Sequence, residues 1–223
     1  MDGLPPDAWA LMLSAVYVGA VIGTSELLRR LTGASAEFTR KFVHVGIGLW
    51  IIPTLMLFET WYWAALPPAA AVLMNLVSLR LSLIKSIERG EPTDYGTVLF
   101  ALGFLVCIVV FFESAHPEAA AAGIMVMALG DAAAAIVGRR LGRHRYRLFG
   151  ADKSLEGSAA MLAVSWLAVL ATLVIFGASL TQAAWTAALL AVVGTGLEAT
   201  GKHGLDNLTV PVVSSVLAYL ALG

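Results

Sequence analysis

The residues best suited to chemistry fall within one stretch, Gly130 to Ser158, GDAAAAIVGRRLGRHRYRLFGADKSLEGS. Asp131, Lys153 and Glu156 stand there among five arginines and repeated glycines, in a chain that is otherwise mostly apolar. Asp131 lies inside an apolar run, where a carboxylate costs about 2.5–3.5 kcal/mol unless it is paired, hydrated or bound to metal. Gly130, Ala132 to Ala135 and Gly138 keep the surface around it small, so a ligand or another helix can approach closely. Lys153 precedes a helix start at Ser154, and free helix amides beside a lysine suit phosphate oxygens. Glu156, one turn on, can bind Mg²⁺ or orient Lys153. The stretch is not a Walker A loop, because GxxxxGK[ST] is absent. Arg139, Arg140, Arg143, Arg145 and Arg147 have a plainer reading as topology determinants or headgroup contacts.

Two other clusters carry the same kinds of group. In TRKFVHVGIG, Arg40, Lys41 and His44 recur at helical spacings of three and four, so one side of a helix start offers an anion site or a general base. In EATGKHGLDNLTVPV, Glu198, Asp206 and Asn207 stand at a membrane edge. Thr209 with Pro211 predicts the cap and first turn of a last helix, which leaves Asp206 and Asn207 ahead of it. A carboxylate and an amide are hard-oxygen ligands suited to Mg²⁺. Elsewhere, Glu26 is expected to pair with Arg30, Asn75 to bond across helices, and Asp94 to cap a turn. Acids and cations at one level are what phosphoryl transfer needs, since it works by positioning and charge neutralisation.

The elements that must hold these groups are helices in a bilayer. The chain has 223 residues, 59% hydrophobic and 13% charged, with a mean hydropathy of +0.85, unlike a soluble domain. A spanning helix needs about 20 mostly apolar residues. Eight segments qualify, at 8–28, 42–58, 61–79, 95–112, 119–137, 157–177, 183–200 and 208–222. Spanning strands are not expected, because the runs are too long and continuous for a barrel. Every lysine and arginine then falls in the loops 29–41, 80–94, 138–156 and 201–207, while Asp2, Asp7, Glu59, Glu113 and Glu118 lie opposite. The positive-inside rule places both termini away from the cytoplasm and the chemical residues on the cytoplasmic face. MDGLPPDAW lacks the basic region of a signal peptide, so the first apolar run is read as a retained helix. The lone Cys107 excludes an internal disulfide. With no repeat and no linker, residues 1–223 form one membrane domain. Topology accounts for the basic residues, so no nucleic acid is expected. A transporter is the non-enzyme alternative; it would put polar groups at the midplane, whereas these gather at one face.

The motifs resemble those of the CTP-dependent lipid-alcohol kinases: dolichol, polyprenol and phytol kinases and the related CTP-dependent diacylglycerol kinases. RK-x-x-H-x-x-x-G is Arg40, Lys41, His44 and Gly48. GD-x-x-A-x-x-x-G-x-x-x-G is Gly130, Asp131, Ala134, Gly138 and Gly142. K[ST]-x-EGS is Lys153, Ser154, Glu156, Gly157 and Ser158, and DN-x-x-x-P is Asp206, Asn207 and Pro211. The resemblance runs from about residue 40 to 211 in the right order, and this family is similar to the CDP-diacylglycerol synthases. It implies an all-α polytopic membrane enzyme that transfers the γ-phosphoryl of CTP to the hydroxyl of a membrane lipid. On that reading Asp131, Glu156 and Asp206, with Asn207, hold Mg²⁺, and Lys153 neutralises the triphosphate. Arg40, Lys41, Gly130, Gly138, Arg139, Gly142, Ser154 and Gly157 surround the nucleotide, and His44 or a metal-held carboxylate deprotonates the alcohol. The implied partners are CTP, a lipid alcohol and the bilayer, with a second copy of the chain as a candidate. The short chain favours a compact prokaryotic enzyme of the cytoplasmic membrane. The alternative enzyme reading is a phosphatidate cytidylyltransferase, which releases pyrophosphate rather than CDP.

Overall fold

With no water to satisfy backbone groups in a bilayer, long apolar runs close their hydrogen bonds internally as helices. The computed structural model of the chain describes residues 4–81, 95–202 and 204–223. Its helices are α1 (Pro6–Thr32), α2 (Ala36–Leu49), α3 (Ile51–Leu57), α4 (Trp61–Leu81), α5 (Gly96–Phe111), α6 (Glu118–Met125), α7 (Asp131–Leu141), α8 (Leu155–Ile175), α9 (Leu180–Thr200) and α10 (Asp206–Leu222). Trp50 joins α2 to α3, and a π-helical turn, Val126–Gly130, joins α6 to α7. Each of the eight apolar segments therefore falls on one helical rod. Five rods are long and apolar enough to cross a membrane: Pro6–Thr32, Ala36–Leu57, Glu118–Leu141, Leu155–Ile175 and Leu180–Thr200. Gly96–Phe111 and Asp206–Leu222 are apolar but shorter. Of the expected loop 80–94, residues 80 and 81 end α4, and 82–94, with Lys85, Arg89 and Asp94, lie outside the described residues.

The rod 118–141 runs through the centre, and Ala119 to Ala122, Val126, Met127 and Ala128 are fully buried. Small residues let neighbouring helices close on it. A Cβ on Gly123 would meet Ser215 and Pro211 of α10, and one on Gly130 would meet Ser165 of α8. Asp131 sits in the middle of the bundle because its own rod does. Hydroxyl side chains cap α2, α8 and α9: Ser35, Ser154 and Ser179 accept from the amides of Phe38, Gly157 and Gln182 at 3.3, 3.1 and 3.2 Å.

Two expectations are corrected. The last helix begins at Asp206, not after Thr209, whose hydroxyl donates to the Leu205 carbonyl at 3.1 Å. Pro211 lies inside α10 and brings no amide to the Asn207 carbonyl. That oxygen faces Gly103 of α5 instead, and Asp206 and Asn207 occupy the first helical turn. The all-helical expectation also omits a small antiparallel hairpin between α7 and α8, β1 (Arg145–Leu148) with β2 (Ala151–Ser154). Its two-residue turn places both Phe149 (φ 48) and Gly150 (φ 85) in the left-handed region, as a type I′ turn requires. The hairpin is anchored to α8 by Leu155 N–H donating to the His144 carbonyl (3.0 Å) and by Tyr146 against Ser158 (2.7 Å).

Candidate active site

The starts of α2, α8 and α10, the length of α7 from Asp131 to Arg139, the end of α9 and the hairpin all meet at one end of the bundle. They enclose a polar cavity of about 640 Å³. Of the residues expected to bind, Arg40, Lys41, Asp131, Gly138, Arg139, Lys153, Ser154, Gly157, Asp206 and Asn207 line it. Arg40 and Asn207, 167 positions apart in sequence, thus share one chamber.

One wall carries a buried ion pair between Lys41 of α2 and Asp131, the first residue of α7. His44, one turn along α2 from Lys41, puts Nε2 3.7 Å from the same carboxylate and 3.3 Å from the Met127 carbonyl. A carbonyl only accepts, so that contact makes Nε2 the protonated nitrogen and leaves Nδ1 as the acceptor. The ring of His44 lies tilted by 33° against Phe100, with centroids 4.1 Å apart. Met127 lies within the π-helical turn and Asp131 directly follows it, a feature often found where a helix is adjusted around a functional group. Arg40 is held by Glu37 at 2.6 Å, and Glu37 also takes Arg139 at 3.2 Å.

The opposite wall carries a second lysine–carboxylate pair, Lys153 of β2 with Glu198 of α9. Burial alone would depress the Lys153 ammonium, but the Glu198 carboxylate outweighs it and holds the group above its ordinary value. Asp206 and Asp131 add to that upward shift, so their fields reach Lys153 across the cavity. The site therefore places cations and carboxylates on both walls.

Four expected residues do not line this cavity: His44, which stands behind it beside Asp131, and Glu156, Gly130 and Gly142. Glu156 does not line the cavity; its carboxylate accepts from His144, N–H at 3.2 Å and Nδ1 at 2.7 Å, and so ties the hairpin to α8. The spacing from Lys153 is right, but the chain folds back and offers Glu156 a nearer partner. Gly130 and Gly142 are packing residues: a Cβ on Gly142 would strike the Gly138 carbonyl and Ser154. Gly138 and Gly157 combine both roles, since they line the cavity at the close crossing of α7 and α8. Glu37 was missed, although it precedes Arg40 by three residues, a spacing that favours pairing. The expected pairs Glu26–Arg30 (2.7 Å) and Asn75 to the Thr97 carbonyl (3.0 Å) are present.

Among the described residues no group of three His, Cys, Asp or Glu side chains converges to hold a metal. Mg²⁺ is commonly held by only one or two carboxylates, with water and substrate phosphates completing its shell. Asp131 and Asp206 on one cavity fit that mode, with the Asn207 amide beside them.

No family model and no solved structure matches the chain. Curated relatives do. The chain is 40% identical over 219 residues to a phytol kinase of Synechocystis sp., covering 96% of this chain and 94% of that protein. It is 26% identical to a probable chloroplastic phytol kinase 2 of Oryza sativa, covering 98% and 77% of the two chains. It is 30% identical to the dolichol kinase EVAN of Arabidopsis thaliana over 195 residues, 78% of this chain and 33% of the longer plant protein. An apolar membrane bundle with a polar chamber at one end, aligned along nearly its whole length with a phytol kinase, belongs to the family of lipid-alcohol kinases.

Proposed function

We propose that the chain is a CTP-dependent kinase that phosphorylates the hydroxyl of an isoprenoid lipid alcohol at the cytoplasmic face of the membrane. The observation that carries this reading is the polar cavity, in which lysine–carboxylate pairs from α2–α7 and from β2–α9 face a volume fit for a triphosphate. Eight spans with both termini away from the cytoplasm would put that cavity on the basic, nucleotide-accessible side. CTP as donor follows from the motif resemblance.

Lys153, Arg40 and Arg139 neutralise the phosphates, and Asp131, Asp206 and Asn207 hold the accompanying Mg²⁺. When bound, that ion would offset the charge that develops on the phosphate oxygens. The alcohol oxygen attacks the γ-phosphorus, the bond from that phosphorus to the β,γ-bridging oxygen breaks, and CDP leaves. The hydroxyl proton passes to His44 Nδ1, the nitrogen not committed to the Met127 carbonyl. Purified protein with Mg²⁺, γ- or α-labelled CTP or ATP, and a prenol, diacylglycerol or phosphatidate tests the reading. γ-Label in a prenyl phosphate, from CTP rather than ATP, is expected. α-Label in a cytidylylated lipid would assign cytidylyl transfer instead, and label in neither lipid would refute the kinase.

A further inference from the structure

A second cavity, about 450 Å³, lies beside the polar one, bounded by α1, α2, α4 and α5. Arg40 and Asn207 line both, and His44, which lines the second, puts Nε2 3.7 Å from the Asp131 carboxylate of the first. Away from that junction the walls are hydrocarbon, supplied by residues such as Leu11, Ala15, Ile22, Ala64, Ala71 and Phe104. From Ile22 to Leu11 the slot follows eleven residue steps of α1, and from Asn75 to Ala64 eleven of α4. At ~1.5 Å per residue both walls give a depth of roughly 16 Å.

The few polar groups along it are turned away. Ser14 and Thr54 donate to the carbonyls of Ala10 and Trp50, each at 2.8 Å, and Trp50 Nε1 donates to Ser14 at 2.9 Å. Ala15, Ala70 and Met74 are apolar yet exposed on the outside of the bundle, so the slot opens sideways to the acyl chains of a bilayer.

We infer that this slot holds the hydrocarbon tail of the alcohol substrate, with the hydroxyl at His44 and the far end of the chain beside Leu11 and Ala64. The inference rests on the lipid-alcohol kinase reading and adds the tail site to it. Continuity with the polar cavity selects this occupant, because a lipid alcohol is the ligand that needs a dry slot ending at a charged chamber. A chain longer than the slot must leave it through the lateral opening between α1 and α4.

The test uses the whole protein in nanodiscs with a C20 prenol bearing a diazirine at its far end, photolysed without nucleotide. Adducts are expected on residues 11–15 and 64–68, suppressed by excess phytol but not by excess phosphatidylcholine. Adducts elsewhere, or labelling that phytol does not suppress, would overturn the inference. In the Ala15→Trp variant, the ratio of kcat/KM for the C20 alcohol over a C10 alcohol should fall tenfold or more. Val16→Trp, at an exposed position of α1 that does not line the slot, should leave that ratio within twofold. A ratio equally unmoved in Ala15→Trp would also overturn the tail site. Slot adducts in a wild-type protein that transfers no phosphate would refute the kinase reading while leaving the slot a lipid site.

Discussion

The polar cavity and the apolar slot share α2 and meet at His44, yet they treat polar groups in opposite ways. In the cavity Lys41, Asp131, Lys153 and Glu198 turn inward and satisfy one another across helices, so the charge is concentrated where a ligand enters. In the slot Ser14, Thr54 and Asn75 turn to backbone carbonyls, so the surface left facing the void is hydrocarbon. The same residue types can line a site or vanish from it, depending on which partner lies within reach. A site for a polyphosphate and a site for a lipid tail can thus sit side by side on one helix, provided the boundary is sharp. His44 and Arg40 make that boundary.

Changes on the polar side should separate the two regions. Lys153→Met should lower kcat/KM about 10²–10³-fold, the scale for removing one preorganised charge, while photolabelling of the slot by the prenol stays within twofold. Lost labelling would mean the two regions are not independent. Glu198→Gln leaves the ammonium in place but loosens it, and a drop of about tenfold is expected in the same assay. Glu156→Gln should cost less than threefold, since its carboxylate serves His144 and the hairpin; a loss as large as that of Lys153→Met would place Glu156 in the chemistry after all.

The smallest effect concerns pH. The Lys153 pKa is raised on folding, so the pair's stabilisation is complete below the unfolded lysine value, ~10.5, and is lost only as pH climbs through the higher folded value. The Tm difference between wild type and Lys153→Met should therefore be flat from pH 6 to 9. A difference that shrinks across that range would show that the ammonium is not held as described.

Asp131, Lys153 and Asp206 could be read from the sequence because ionised groups beside long apolar runs are costly and need a reason. Arg40, Lys41 and His44 could be read because helical spacing alone puts them on one side. What the sequence hid depends on partners distant in the chain or on backbone without a compositional cue. Glu156 has the spacing of a ligand but pairs within the hairpin, and that hairpin is signalled by little besides Gly150. The π-helical turn before Asp131 uses ordinary helix-forming residues, VMALG, so periodicity reads through it. Pro211 suggested a helix start; instead α10 absorbs it by giving up one hydrogen bond, to a carbonyl that faces Gly103. The apolar slot was invisible because its walls have the same composition as the surfaces packed in the core.

The measurement closest to the central claim is transfer of γ-labelled phosphate from CTP to phytol by Asp131→Asn beside wild type. Removing the carboxylate leaves Lys41 buried and unpaired, which costs about 3–5 kcal/mol for a buried pair, so the Lys41→Met/Asp131→Asn double variant is assayed with it. The account predicts that wild type transfers label and that both variants lose at least about 10³-fold, with the double variant regaining much of the lost Tm. Transfer within threefold of wild type by either folded variant would contradict Asp131 as the centre of the reaction.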